Sequence, residues 1–153
     1  ESTDKSKSIV DSFQDNLIEY YRRKDKTMFD SLSFALQKTK GDFCSYLNAG
    51  DFYSNNCLST VSDIFNQNKH LSWLTGIKFI YNEFSQITDI RFPYLYRSKL
   101  IQCGAYGRYL PFIQQESTFW KSDLNNLLNY EKLSNFRNCG DLYMWQTFSK
   151  KAE

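Results

Sequence analysis

The stretch Asp42-Phe43-Cys44-Ser45-Tyr46-Leu47-Asn48-Ala49-Gly50-Asp51-Phe52-Tyr53 opens as a half-apolar strand and ends in a small, acidic, turn-forming tip. In an extended chain Phe43, Ser45 and Leu47 point one way and Cys44, Tyr46 and Asn48 the other. Apolar groups on both sides predict an interior strand covered on both faces, as in an α/β sheet. Open sheets of that kind place ligands beyond the carboxyl ends of their strands, which is where the tip falls. There Ala49-Gly50 lets the backbone approach a bound group closely, and Asp51 offers a hard oxygen ligand. The outline is that of a metal-phosphate site, although Asn, Gly and Asp also make ordinary solvated turns.

Outward from this stretch, a chain of 153 residues is long enough for one domain with a real core. Its 13 Phe, 11 Tyr and 3 Trp against 6 Gly and 2 Pro favour packed α/β or α+β architecture over disorder. A net charge of only +2 supplies no global field to recruit nucleic acid, so no nucleic-acid partner is expected. No apolar run approaches the roughly 20 residues of a membrane span, and no signal-peptide pattern opens the chain. Cys44, Cys57, Cys103 and Cys139 show no Cys-x-x-Cys spacing, and His70 is the only histidine, which argues against zinc. Reduced thiols in a cytoplasmic protein are expected over two disulfides.

Glu1-Ser2-Thr3-Asp4 is a cap-and-turn cluster, and Ile9, Val10 and Phe13 recur at helical spacing, predicting a helix from about residue 4 to 15. The apolar run Leu17 to Tyr21 predicts a strand, followed by the charged connection Arg22 to Lys26. Met28, Leu32, Ala35 and Leu36 form a helical stripe over 27–38, with Asp30 placed where a carboxylate favours the helix dipole. A second amphipathic helix over 56–67 carries Leu58, Val61, Ile64 and Phe65. A strand over 71–76, a hairpin of 78–83 with 87–92, and a short helix over 96–103 closed by Gly104 follow. Late in the chain Asp141 stands at the head of a helix with Leu142, Trp145 and Phe148 on its apolar side, in the position of an N-cap.

Several of these segments together resemble glycosyltransferase family 2, whose members have the GT-A nucleotide-sugar fold. Ser2-Thr3-Asp4 matches the end of the family's Asp-Gly-Ser-Thr-Asp motif, so the family's first strand is expected to be missing from this sequence. Lys26 to Leu32 resembles the donor-pocket segment around its acid, with Ser33 where the family usually has Asn. Thr39-Lys40-Gly41-Asp42 resembles the lead into the central strand, and the tip itself resembles the Asp-x-Asp region, with Gly50 replacing an acid. Leu71 to Gly76 matches a strand seen in one branch of the family. Ile113-Gln114-Gln115-Glu116-Ser117-Thr118-Phe119-Trp120-Lys121 is the most specific match, with Lys121 for the usual Arg. Cys139-Gly140-Asp141-Leu142-Tyr143-Met144-Trp145 resembles the late Ala-Gly-Asp-Tyr-x-Leu-Trp segment.

The resemblance implies an α/β fold of GT-A type, a mixed and mainly parallel sheet flanked by helices in a single domain over 1–153. Residues 1–55 would be its nucleotide half and 56–153 its acceptor half. It implies inverting transfer of a sugar from a nucleotide-diphosphate sugar to an acceptor hydroxyl, with Mg²⁺ or Mn²⁺ held through Asp51. Ser2, Thr3, Asp4, Asp30, Asn48 and Gly50 would contact the donor. Asp141 would be the catalytic base, with Glu116 as the rival acid or a buried structural carboxylate. The acceptor would be a saccharide or a lipid-linked one in cell-surface or capsular polysaccharide synthesis, with peripheral membrane association at the cytoplasmic face. The competing expectation is a catalytically silent domain of the same fold that binds a sugar nucleotide or a protein partner.

Overall fold

The computed structural model describes residues 3–151. Strand β5 (Thr118–Lys121) lies in the middle of the main sheet. On one side β1 (Phe43–Cys44) pairs with it, Phe43 opposite Lys121 and Cys44 opposite Trp120. On the other side β2 (Trp73–Thr75) pairs with it, Trp73 opposite Trp120 and Thr75 opposite Thr118. Both pairings are antiparallel, so β1 and β2 run in the same direction with β5 between them.

The sheet therefore differs from the mainly parallel one expected. Alternation along a strand reports which faces are covered and carries no information on the direction of its neighbour. β1 is also an edge strand among the described residues, and β5 takes the interior place. Coverage of both faces of β1 is nonetheless real. Phe43 stacks on Phe65 at 4.6 Å, while Cys44 and Tyr46 lie in the opposite core. The expected strand over 17–21 does not form a ladder. The Leu17 N–H donates instead to the Asp15 side chain in a local turn, and Leu17 is 86% exposed. β propensity yields a strand only where a neighbouring strand offers partners.

Alternation along β5 feeds two cores. Trp120 points into the larger one, among α2 (Met28–Lys38), α4 (Ser98–Gln102), α5 (Tyr130–Ser134) and α6 (Gly140–Phe148). Phe119 points into the smaller one, against Val61 and Phe65 of α3 (Cys57–Gln67). Helix α2 starts where the sequence places it, the Thr27 hydroxyl accepting from the Asp30 N–H. Its buried residues are Phe29, Leu32, Ser33 and Leu36, while Met28 is exposed. The helix is thus rotated from the expected stripe, because Phe29 packs under the start of α6. Leu58 likewise faces out of α3.

α1 (Ser6–Ser12) is shorter than expected and buries none of its residues. α5, which the apolar pattern does not announce, begins where the Asn129 side chain accepts the Lys132 N–H. β3 (Lys78–Tyr81) and β4 (Ile87–Arg91) form the expected hairpin. Its turn is closed by the Asn82 side-chain oxygen, which accepts from the N–H groups of Phe84 and Gln86. All four cysteines are free.

The larger core contains one polar knot. The indole N–H of Trp120 donates to Asn125 Oδ1 at 2.8 Å, and Asn125 Nδ2 reaches Thr39 Oγ1 and Cys44 Sγ at 3.3 Å each. Both Trp120 and Asn125 are buried, so the indole has no water to turn to. Asn125→Leu should lower stability by about 1–3 kcal/mol, the cost of stranding a buried donor, as read from chemical denaturation. A loss below about 0.5 kcal/mol would show that the bond is dispensable.

Candidate active site

Because β1 and β2 both run antiparallel to β5, their carboxyl ends meet its amino end. That edge gathers the turn following β1, Gly76 after β2, and the 114–117 segment before β5. The segment is tied down by the Gly76 N–H, which donates to the Ser117 carbonyl at 2.8 Å. Thr118 adds a bond from its hydroxyl to the Gln114 carbonyl at 2.7 Å. Glu116 sits in the tight 3-10 turn Gln115–Ser117 that this bonding produces.

Glu116 forms an ion pair with Lys78 of β3, and Lys78 Nζ also donates to Gln114 Oε1 at 3.3 Å. Both side chains are largely withdrawn from water, 16% and 25% exposed. Beside Glu116, the Gln115 side-chain oxygen is buried without a donor among the described residues. A buried acceptor of this kind is rare in a finished interior and common where a ligand or water completes the bonding.

Asp141 reaches the same region from α6. It is the second residue of that helix, and the cap position expected for it belongs to Cys139, which has φ +59° and makes no side-chain cap. Gly140 between them has a steric reason: a Cβ there would come within 2.5 Å of the Phe29 ring. With glycine, the start of α6 sits directly on α2. Burial pushes the Asp141 carboxyl above its ordinary value, N–H groups of Leu142 and Asp141 itself oppose the shift, and the Glu116 charge adds to it. Burial likewise pushes the Tyr46 phenol well above its usual range, with the charges of Asp141 and Glu116 contributing. The tertiary fold thus brings Glu116 and Asp141 into one electrostatic neighbourhood, with Tyr46 in their field and Lys78 on Glu116.

Tyr46 and Lys78 were not among the site residues expected from sequence. Lys78 did leave a trace, since alternation in β3 puts it on the same face as Ile80, the less exposed side of the hairpin. A lysine on an inward face is a signal for a buried partner. Tyr46 reads as a core residue of the strand, which it also is.

The tip is a turn in which the Asp51 N–H donates to the Asn48 carbonyl at 3.1 Å. Gly50 has φ +95° with open space around its Cα, so backbone conformation rather than crowding calls for glycine. Asn48, Gly50 and Asp51 are all exposed. The Asp51 carboxylate makes no hydrogen bond or ion pair among the described residues. No three His, Cys, Asp or Glu side chains converge on a possible metal position among those residues. A single free carboxylate fits a divalent cation whose other ligands are diphosphate oxygens and water, and does not fit an all-protein cage.

The remaining expected donor residues are locally engaged. Asp4 accepts from the N–H and hydroxyl of Ser6, which hold its carboxyl below the usual range. Thr3 is exposed, and Ser2 lies outside the described residues. Asp30 accepts the Lys26 N–H at 3.1 Å and has Arg23 at 3.7 Å, closing the first turn of α2. Ser33 is buried and donates to the Tyr130 carbonyl at 2.9 Å, joining α2 to α5.

Residues 1–142 match the model of the family described as Glycosyl transferase family 2. No curated protein matches the chain. The family match supports a GT-A-type domain that binds a nucleotide-sugar donor and an acceptor.

The displaced carboxyl of Asp141 has a consequence for stability. Its folded value lies above the unfolded one, so stability held at low pH is lost as the pH rises from the ordinary carboxylate value through the folded one. Asp141→Asn removes the buried charge and should make the protein more stable than wild type at neutral pH. Well below the carboxylate range the two should differ little. Unfolding curves at the two pH values check this, and a less stable Asn variant at neutral pH would contradict the assigned burial.

Proposed function

We propose that this chain, which belongs to glycosyltransferase family 2, transfers a sugar with inversion from a nucleotide-diphosphate sugar to an acceptor hydroxyl. The observation that carries the reading is the pair of acids at the carboxyl edge of the sheet, held in unlike environments. Glu116 is paired with Lys78, whereas Asp141 has no cation paired with it among the described residues and its carboxyl is raised by burial. Environments that separate two neighbouring acids also separate their roles.

Asp141 is then the base. A carboxylate at its ordinary value is a weak proton acceptor at neutral pH, and raising it toward the working pH strengthens it. It would take the proton of the acceptor hydroxyl as that oxygen attacks the anomeric carbon from the face opposite the diphosphate. Glu116, pinned by Lys78, would orient the acceptor or shape the floor between the two substrates. The buried Gln115 oxygen is a further acceptor for a substrate hydroxyl.

Asp51 would hold Mg²⁺ or Mn²⁺, and the cation would neutralise charge on the leaving diphosphate. Asn48 and Gly50 offer backbone beside it, and Ser2, Thr3, Asp4 and Asp30 would complete the donor side. The acceptor would be a saccharide or a lipid-linked one, and the product a cell-surface or capsular polysaccharide. The reaction would then run in the cytoplasm at the inner face of a membrane. No helix among the described residues is long and apolar enough to cross one.

A second reading, a silent domain that binds a sugar nucleotide or a protein partner, draws on Gly50 in place of the family's second acid and on the lack of a preformed metal cluster among the described residues. Turnover separates the two. With a panel of nucleotide sugars and Mn²⁺, Asp141→Asn should lower turnover by roughly 10²-fold or more while donor affinity stays nearly constant. Near-normal turnover in that variant beside an inactive Glu116→Gln would give the base role to Glu116.

Asp51→Asn should abolish the metal-dependent part of donor binding while leaving the fold intact. Thermal shift with UDP-, GDP- and dTDP-sugars, with and without Mn²⁺, reads this directly. Wild-type affinity for donor and Mn²⁺ in the variant would remove Asp51 from the metal site.

A further inference from the structure

Between Ile90 and Gln115 the chain carries Arg91, Arg97, Lys99 and Arg108 and no Asp or Glu. The same stretch leaves large apolar side chains in water: Leu95 is 87% exposed, Tyr109 76%, Phe92 67%, Tyr94 55% and Phe112 52%. Isolated exposed apolar residues need no explanation, but a cluster of aromatics interleaved with cations of one sign does.

The cluster is built on compact backbone. The 105–110 loop is closed by the Ala105 carbonyl, which accepts from Tyr109 and Leu110, and by the Gly107 N–H, which donates to the Leu110 carbonyl at 2.7 Å. It is fastened to the 92–97 segment through Tyr106. The Tyr106 hydroxyl accepts the Arg97 N–H at 3.2 Å, and its ring meets that of Tyr96 edge-on at 4.9 Å. Tyr106 is buried, so the two exposed segments are anchored side by side. The Arg108 guanidinium lies 5.1 Å from the Tyr109 ring, which keeps a cation beside an exposed aromatic.

We infer that this surface docks on an anionic phospholipid bilayer, with Leu95, Tyr109 and Phe92 entering the headgroup boundary and Arg97 and Arg108 meeting lipid phosphates. Aromatic rings settle at that boundary, where one end is apolar and the other wet. Arginine pairs with phosphate in a forked geometry. Arg91 is paired with Asp89 at 2.9 Å, but a symmetric contact with a second copy would set Arg97 and Arg108 against each other with no acid between residues 91 and 114 to answer them, so a second copy fits poorly. The inference supplies the contact behind the membrane placement proposed above, and it requires no glycosyl transfer, because binding is read without donor or acceptor.

The test is co-sedimentation of the whole chain with vesicles of phosphatidylcholine alone and with added phosphatidylglycerol. Binding should require the anionic lipid and weaken as salt is raised. Arg97→Gln and Arg108→Gln should each lower the partition coefficient roughly fivefold. Leu95→Ser should lower it roughly tenfold or more, whereas Lys69→Gln, which removes an equal charge elsewhere, should have little effect. Equal binding to both vesicle types, equal loss in Lys69→Gln, or no binding at all would overturn the inference. So would a dimer in solution that Leu95→Ser dissolves, in the absence of vesicle binding. Vesicle binding without any transferase activity would count against the proposed reaction and leave the docking surface standing.

Discussion

Trp120 is enclosed by Trp145, Phe148 and Tyr46, with ring centroids at 5.8, 5.7 and 6.5 Å, and is fully shielded from water. Its indole must find an acceptor there, and Asn125 supplies it while holding Thr39 and Cys44 with its own amide. One buried hydrogen-bonded group therefore fastens β5, β1, the end of α2 and the turn after β5 together. Phe119, its neighbour, points to the opposite face and closes the second core with Val61 and Phe65. The two-faced burial of β5 is what both halves of the molecule share.

The candidate site depends on that arrangement. β5 enters the sheet just after Glu116, so whatever fixes Trp120 and Phe119 also fixes where the Glu116 carboxylate can stand. Gly140 does the corresponding work for Asp141 by letting α6 begin against Phe29. The two acids reach one region from elements held by different contacts. Burial acts against ionisation at Asp141, and Glu116 is ion-paired with Lys78. Among the described residues no cation is paired with Asp141, which a fold that only minimised electrostatic cost would not favour. A raised carboxyl in that position is what the proposed base role calls for.

The donor end is built differently. Asp4 and Asp30 spend their oxygens on the starts of their own helices, and Asp51, on an exposed turn, has no partner among the described residues. In the proposed reaction the acid side is thus the preorganised part of the site. On the proposed donor side, Asp51 is the one expected residue whose carboxylate has no partner among the described residues, and it lies on open backbone. Such an arrangement suits a cation that arrives with its substrate.

Much of this was written locally in the sequence. Thr27 and Asp30 start α2, Asn82 turns the hairpin, Gly50 bends the tip, and the segments around Glu116 and Asp141 carry the family resemblance, because each depends on residues a few positions apart. Three features were decided only by tertiary structure. Among the described residues, the strand expected over 17–21 has no partner strand, the central strand is β5 rather than β1, and the pairing is antiparallel. Strand order and direction depend on distant segments, to which side-chain alternation is blind. The same reason hid Lys78 and Tyr46. Their residue types are ordinary for a hairpin and a core strand, and their importance comes from carboxylates that chain folding, not sequence proximity, sets beside them.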